Sequence, residues 1–127
     1  MLHPNEFQVD EAWIAFKLND QPIHTEQDGD FDFLALMDAA SCFILGFVTI
    51  PATRDEPTTL DSKRLLQQGH AHKQQWPQTL FVPTEQPTQF LAAEAERLGI
   101  GVVRVAEDQL LLFIGEARES FRERFGG

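Results

Sequence analysis

The stretch FLALMDAASCFILGF, residues 33–47, consists of two apolar runs joined by a short link of small and polar residues. Each run has the length of an ordinary strand, and the link contains the turn formers Asp38 and Ser41. Both runs are apolar at nearly every position, which is typical of strands that are covered on both faces. The stretch therefore predicts a buried β-hairpin that turns directly after Asp38.

The segments around this hairpin extend it into a mixed sheet. Runs of residues that favour β-strands are separated by Pro, Gly and Asp. Residues 19–30 are rich in turn formers and are interpreted as a loop. The predicted strands are Ala12–Leu18, Asp32–Asp38, Cys42–Ile50, Thr79–Pro83 and Ile100–Val105.

Apolar residues at helical spacing predict three helices after the hairpin. They run from about Thr59 to Gln75, from Thr88 to Gly99, and from about Asp108 onward. The resulting order is βββαβαβα, an α/β fold with a mixed five-stranded sheet and helices on its faces. We expect residues 1–127 to form a single domain, with an irregular N-terminal arm over residues 1–11.

The charge of the chain is strongly negative, and it is unevenly distributed. The net charge is −10, and residues 1–58 carry eleven acidic side chains but only two basic ones. Affinity for nucleic acid rests mainly on Lys and Arg, so this balance weighs against nucleic acid as a partner. Acidity of this kind also keeps a small protein soluble.

The expected compartment is the cytoplasm. The single cysteine, Cys42, has no second cysteine with which to form an internal disulfide, which fits a reducing environment. The N-terminal residues lack the pattern of a signal peptide, and no apolar run reaches the length of about 18 residues needed to span a membrane. The sequence thus indicates a soluble protein without a membrane partner.

The element order and the hairpin resemble the ribonuclease H-like fold, and within it the catalytic cores of retroviral-type integrases and transposases. Those cores commonly carry Asp-x-x-Ser in this hairpin, followed by a strand with a Val-Gly or Leu-Gly step. The matching residues here are Asp38 and Ser41, followed by Leu45 and Gly46. The resemblance in order covers residues 12–125, whereas the resemblance in residues is confined to the hairpin.

The resemblance also implies three catalytic carboxylates, and this sequence departs from that pattern. The family's first acid lies on the first strand, where residues 13–18 read WIAFKL without an acid. The second lies at the end of the fourth strand, where Glu85 comes three residues after Val82. The third lies on a following helix, where Asp108 and Glu116 are two of several acids. Two-metal chemistry needs carboxylates clustered around cations about 3.5–4 Å apart, so the resemblance implies a fold without this site.

Asp38 and a separate group of three acidic residues are candidate sites in their own right. Asp38 fits a turn residue that accepts hydrogen bonds from backbone N–H groups near Ala40 or Ser41, and a catalytic or metal-binding role is the alternative. The acids Asp28, Asp30 and Asp32 alternate, so on a strand they would share one face and could attract Ca²⁺ or Mg²⁺. Their spacing does not match an EF-hand loop, and a solvated acidic loop is the preferred interpretation.

Three hypotheses follow from the sequence. The leading hypothesis is a non-catalytic ribonuclease H-like module, without a cofactor, that acts in interaction or structure with an unknown protein or with itself as a homodimer. The second is a divergent metal-dependent nuclease or phosphoryl-transfer enzyme that uses Mg²⁺ or Mn²⁺ with Asp38, Glu85 and either Asp108 or Glu116. The third is a module that binds a cation or a basic partner through Glu26–Asp32. An uncharged sheet edge at Cys42–Ile50 motivates the homodimer or, instead, a covering segment.

Overall fold

The computed structural model describes residues 1–19, 21–27 and 29–126 of the chain. Within this part, the α/β class and the predicted order of helices and strands are confirmed, with one additional strand. The elements are β1 (Ala12–Lys17), β2 (Ile23–Thr25), β3 (Gly29–Asp38), β4 (Ile44–Pro51), α1 (Thr59–Lys73), β5 (Thr79–Pro83), α2 (Gln89–Arg97), β6 (Gly101–Val105) and α3 (Leu111–Phe121).

The sheet is mixed, as the hairpin and the two crossover connections predict. Strand β3 pairs antiparallel with β4 on one side, and on the other side it pairs antiparallel with β1 and with the short β2. Strand β5 joins β1 in parallel, and β6 joins β5 in parallel. Among the described residues, β2, β4 and β6 each pair with only one other strand and therefore form the edges of the sheet.

The central strand β1 is buried on both faces because helices cover both sides of the sheet. Trp13 and Ala15 face a core that includes side chains of α1 and α2, whereas Ile14 and Phe16 face a core that includes side chains of α3. The helices contribute Leu65 and Leu66 from α1, Leu91 and Ala95 from α2, and Phe113 and Ile114 from α3. This two-sided burial explains the continuous apolar runs in the sequence.

Helix α1 packs very closely on the sheet because Gly69 has no side chain. A Cβ atom at Gly69 would lie 2.7 Å from Cη2 of Trp13 and 2.8 Å from Cδ2 of Leu36. The sequence analysis gave this glycine no role, although glycine normally weakens a helix. Close approach to the indole ring is the reason that a glycine stands in the middle of α1.

The predicted five-stranded sheet is wrong by one strand, because residues 19–30 do not form a continuous loop. Residues 23–25 pair with residues 29–31 as β2 and the start of β3. Strand β3 thus begins at Gly29, where φ is +75°, and not at Asp32. The three-residue β2 was missed because its flanking Pro22 and its polar residues look like a turn.

Two other boundaries differ from the predictions. Strand β4 begins at Ile44 and not at Cys42, because Cys42 adopts a left-handed φ of +59° in the turn. The last helix begins as a 3-10 turn over Glu107–Leu110 before α3, and a π-helical turn over Arg122–Gly126 follows α3. In the N-terminal arm, residues 4–6 form a 3-10 turn, and Leu2 and Phe7 pack against the core on the α3 side.

Among the residues that the structure describes, no helix combines the length and the apolar character needed to cross a membrane.

Candidate functional site

Asp38 is buried at the end of β3 and organises the hairpin turn. Its carboxylate accepts hydrogen bonds from the backbone N–H of Ser41 at 3.0 Å, from the Ser41 hydroxyl at 2.7 Å and from the backbone N–H of Asp10 at 2.8 Å. Only 2% of its surface is exposed. The carboxylate therefore fixes both the turn and the N-terminal arm, in the way that short acidic side chains satisfy backbone N–H groups in turns.

The thiol of Cys42 lies next to this turn. Burial raises the pKa of Cys42, and the carboxylates of Glu116 and Asp38 raise it further because they disfavour a second negative charge nearby. The protonated thiol is a poor nucleophile, since the thiolate is the reactive form. The raised pKa therefore makes the Cys42 thiol less nucleophilic at neutral pH than an ordinary cysteine.

A second group of charged side chains lies at the opposite end of β1. A cleft of about 200 Å³ is lined there by Lys17, Pro83, Glu85, Gln86, Glu107 and Arg118. The guanidinium of Arg118 donates to the backbone carbonyl of Lys17 at 2.8 and 3.0 Å and forms an ion pair with Glu107. We call these six residues the strand-end cleft.

Glu85 completes the strand-end cleft from the end of β5. Its carboxylate accepts a hydrogen bond from the backbone N–H of Glu107 at 3.0 Å and from the hydroxyl of Thr84 at 3.0 Å. The bond from the Glu107 N–H is the main reason that the pKa of Glu85 is lowered. The acid that the sequence analysis selected is therefore used to hold the loop after β6 against the loop after β5.

The structure separates Asp38 from the strand-end cleft. Asp38 pairs with Trp13 at the start of β1, whereas Lys17 ends this strand four residues later, which is roughly 13 Å along a strand. The cations of a two-metal site lie only about 3.5–4 Å apart. Asp38 and Glu85 therefore do not share one site of this kind.

The other predicted acids are also dispersed. Glu116 on α3 lies near Cys42, and Asp108 lies exposed in the turn before α3. Asp30 forms a 2.7 Å contact with His24, and Asp32 accepts a hydrogen bond from Asn19 at 2.9 Å. Asp28 lies outside the described residues. In the described ranges, no three Asp, Glu, His or Cys side chains come close enough together to hold a metal ion.

A third feature is an apolar groove between α3 and the β3–β4 hairpin. It has a volume of about 350 Å³ and is lined by Leu18, Met37, Cys42, Ile44, Phe113, Glu116, Ala117, Ser120, Phe121 and Arg124. Next to it, Phe33 makes edge-to-face contacts with the rings of Phe47 and Phe121. We call this feature the α3 groove.

Comparison with solved structures identifies the fold. The chain is similar to the catalytic core domain of BIV integrase, with 13% identity and a TM-score of 0.55, over 91% of this chain and 68% of that one. It is also similar to the dimeric form of the HTLV-2 integrase catalytic core in complex with magnesium, with 11% identity and a TM-score of 0.51, over 87% and 84% of the two chains.

A third similar structure is an intasome of simian T-cell lymphotropic virus in complex with the PP2A regulatory subunit B56 gamma. It shares 12% identity with a TM-score of 0.50, over 97% of this chain and 44% of that one. No family model and no curated protein sequence matches the chain. The chain therefore has the ribonuclease H-like fold of retroviral integrase cores, which confirms the resemblance seen in the element order and the hairpin.

Sequence reasoning selected Glu85 but missed the residues around it. Lys17 was noted only as part of an acid-free strand, and the sequence analysis gave Arg118 no role. In the structure only 18% of the Arg118 side chain is exposed, and its guanidinium lies 6.0 Å from the centre of the Phe16 ring. The sequence offers one signal for this role, since Arg118 comes one helical turn after the buried Ile114. The meaning of this spacing becomes clear only when the structure shows that α3 lies over the end of β1.

Proposed function

We propose that this chain is a non-catalytic ribonuclease H-like domain that acts as an interaction or structural module. The observation that supports this proposal is the Arg118–Glu107 ion pair in the strand-end cleft. It stands at the carboxyl ends of β1 and β5. The integrase resemblance assigns the first catalytic acid to the first of these strands and the second acid to the end of the other. This chain places Lys17 on the first of these strands, and only Glu85 follows the second.

The charge of the strand-end cleft supports the same proposal. The cleft contains two basic side chains, Lys17 and Arg118, and two acidic ones, Glu85 and Glu107. A divalent cation binds where negative oxygen ligands outnumber positive charges. Here the guanidinium of Arg118 already compensates Glu107, and the carboxylate of Glu85 is engaged by a backbone N–H. Binding of Mg²⁺ or Mn²⁺ would have to displace these contacts.

The proposal has two further parts. The net charge of −10 supports a protein partner, or a second copy of the chain, over nucleic acid. The cytoplasm is the proposed compartment, and the free thiol of Cys42 supports it because unpaired cysteines are typical of reducing environments.

Nuclease and metal assays on the purified chain test this proposal. Single-stranded DNA, duplex DNA and an RNA–DNA hybrid are incubated with Mg²⁺ or Mn²⁺, beside the variants Glu85→Gln and Glu107→Gln. We expect no cleavage above that of the buffer and no binding to the same substrates at physiological salt. Metal-dependent cleavage that either variant abolishes would overturn the proposal and would support the divergent nuclease.

A further inference from the structure

Two clefts meet where the N-terminal arm passes the hairpin turn and the end of α1. One has a volume of about 330 Å³, and Phe43 and Lys73 are among the residues that line it. The other has a volume of about 340 Å³, and Trp76 is among its lining residues. Val9 and Asp10 line both clefts, so the clefts meet at this pair of residues. We call the two clefts together the arm site.

The carboxylate of Asp10 is only partly satisfied within the chain. The backbone N–H of Asp10 donates to Asp38, but the Asp10 carboxylate accepts no hydrogen bond from the residues that the structure describes. Only 14% of this side chain is exposed, and its ionic partner, Nζ of Lys73, lies 3.7 Å away. Carboxylates with little exposure are stabilised by charge-assisted hydrogen bonds of about 2.7–2.9 Å. The carboxylate of Asp10 can therefore bind a cation more closely than it binds Lys73.

Lys73 is a replaceable partner for this carboxylate. The Lys73 side chain is 58% exposed, and ion pairs with a solvated lysine contribute little to stability. A guanidinium can form two parallel hydrogen bonds to one carboxylate, whereas an ammonium acts as a point charge. An arginine from outside the chain can thus displace Lys73 from Asp10.

Apolar side chains beside Asp10 suit the remainder of an arginine side chain. Phe43 is 56% exposed and Val9 is 50% exposed, and both line the first cleft. The ring of His72 packs edge-to-face on Phe43, with 5.4 Å between the ring centres, and supports Phe43 at this position. Guanidinium groups stack on aromatic rings, and the methylene groups of arginine cover apolar surface. The first cleft therefore fits a cation on an apolar stem.

The charge around the arm site favours a basic partner. The two clefts are lined by three carboxylates, those of Asp10, Glu11 and Asp38, and by the ammonium of Lys73. The C-terminal end of α1, which carries the negative end of the helix dipole, also lies here. The chain as a whole has a net charge of −10. This field attracts Lys and Arg side chains of another protein and repels a phosphate backbone.

We propose that the arm site binds a short basic segment of a partner protein, in which one arginine pairs with Asp10 in place of Lys73 and packs against Phe43. This inference rests on the proposed function, because it names the surface and the partner class of the interaction module. The arm site is separate from the acidic residues 29–32, which lie at the other end of the ten-residue β3, roughly 30 Å away.

Titration of the isotope-labelled chain with a defined peptide, followed by amide NMR, tests the arm site. The probe is acetyl-Ala-Leu-Arg-Leu-Ala-amide, and the same peptide with glutamate in place of arginine is its matched control. We expect saturable shifts at Val9, Asp10 and Phe43 with the arginine peptide, with a Kd below about 1 mM. The glutamate peptide should cause none of these shifts.

Two variants separate the arm site from general attraction to an acidic chain. Asp10→Asn removes the charge, and asparagine tolerates the φ of +68° at this position, so we expect a folded chain with at least about tenfold weaker binding. Lys73→Gln removes the competing ammonium, and we expect about threefold tighter binding. The matched controls Asp108→Asn and Lys63→Gln are exposed and line neither cleft, and they should change the Kd less than about twofold.

The proposal is overturned if the arginine peptide causes no saturable shift in the wild type up to about 5 mM. It is also overturned if the shifts are confined to residues 29–32, if Asp10→Asn binds as well as the wild type, or if Lys73→Gln and Lys63→Gln bind equally well. Nuclease activity would overturn the proposed function without changing these shifts, so the two failures are distinguishable.

Discussion

The side-chain amide of Gln68 closes the edge of β4 at Phe47. Its oxygen accepts the Phe47 N–H at 2.8 Å, and its nitrogen donates to the Phe47 carbonyl at 3.1 Å, so the amide imitates the peptide group of a neighbouring strand. Gly46 makes room for it, because a Cβ atom there would lie 1.9 Å from the Gln68 side-chain oxygen. An uncharged edge strand is thereby protected by a helix side chain instead of by a lysine or a proline.

Substitution of Gln68 by leucine should expose this edge. The variant Gln68→Leu loses both hydrogen bonds, and we expect it to lose about 1 kcal/mol of unfolding free energy and roughly 3–5 °C in Tm. The released N–H and C=O of Phe47 should also increase light scattering on heating, because they offer a pairing site to another chain. The adjacent Gln67→Leu, an exposed position of the same helix, is the control and should change neither quantity by much.

Equal scattering from Gln67→Leu and Gln68→Leu would contradict the protective role of Gln68. It would mean that added surface hydrophobicity, and not the uncovered edge, drives the association.

The fold could be predicted from the sequence because the strands are long apolar runs that are buried on both faces of the sheet. Residues 33–47 gave the hairpin, and the crossover order after it allowed few topologies for the sheet. The short β2 escaped prediction because three residues provide too little pattern to separate a strand from a turn. Its pairing with residues 29–31 depends on backbone hydrogen bonds that composition does not reveal.

The candidate site was harder to predict because its contacts join distant parts of the chain. Asp38 was correctly interpreted as a turn acceptor, since Ser41 is a local partner. The bonds from Arg118 to the carbonyl of Lys17 span 101 residues, and the bond from Glu107 to Glu85 spans 22. Such pairs follow from the placement of α3 and of the loop after β6, which a pattern of apolar residues does not specify.

Two glycines in helices should respond to alanine with opposite signs. Gly69→Ala places a methyl group within 2.8 Å of the Trp13 ring and the Leu36 side chain, and we expect a loss of about 1–3 kcal/mol. Gly115→Ala on α3 meets nothing within 4 Å, and we expect a gain of up to about 1 kcal/mol because alanine favours the helix. Urea unfolding of both variants measures the difference, and a neutral or stabilising Gly69→Ala would show that α1 does not pack as closely as described.

Removal of the Asp38 carboxylate should destabilise the hairpin strongly. In Asp38→Ala the backbone N–H groups of Asp10 and Ser41 lose a charged acceptor, and we expect a loss of about 3 kcal/mol in urea unfolding. The exposed Asp108→Ala is the matched control and should stay within about 0.5 kcal/mol of wild type.

Metal titration separates this structural role from a catalytic one. Neither Mg²⁺ nor Mn²⁺ should raise the Tm of the wild type or of Asp38→Asn. A metal-dependent rise in the wild type that Asp38→Asn removes would instead make Asp38 a metal ligand.

Protonation of Glu85 in acid should lower the stability of the folded chain. Because its pKa is lowered from the ordinary value of 4.5 in the folded chain, the ionised carboxylate stabilises the fold at pH values above 4.5. This contribution falls as the pH drops through the lower, folded pKa and the carboxylate becomes protonated. Glu85→Gln should therefore have a lower Tm than wild type at pH 7, and the two Tm values should converge below that folded pKa. A difference in Tm that stays constant from pH 7 down to pH 3 would show that the hydrogen bond from the Glu107 N–H does not depend on the charge of Glu85.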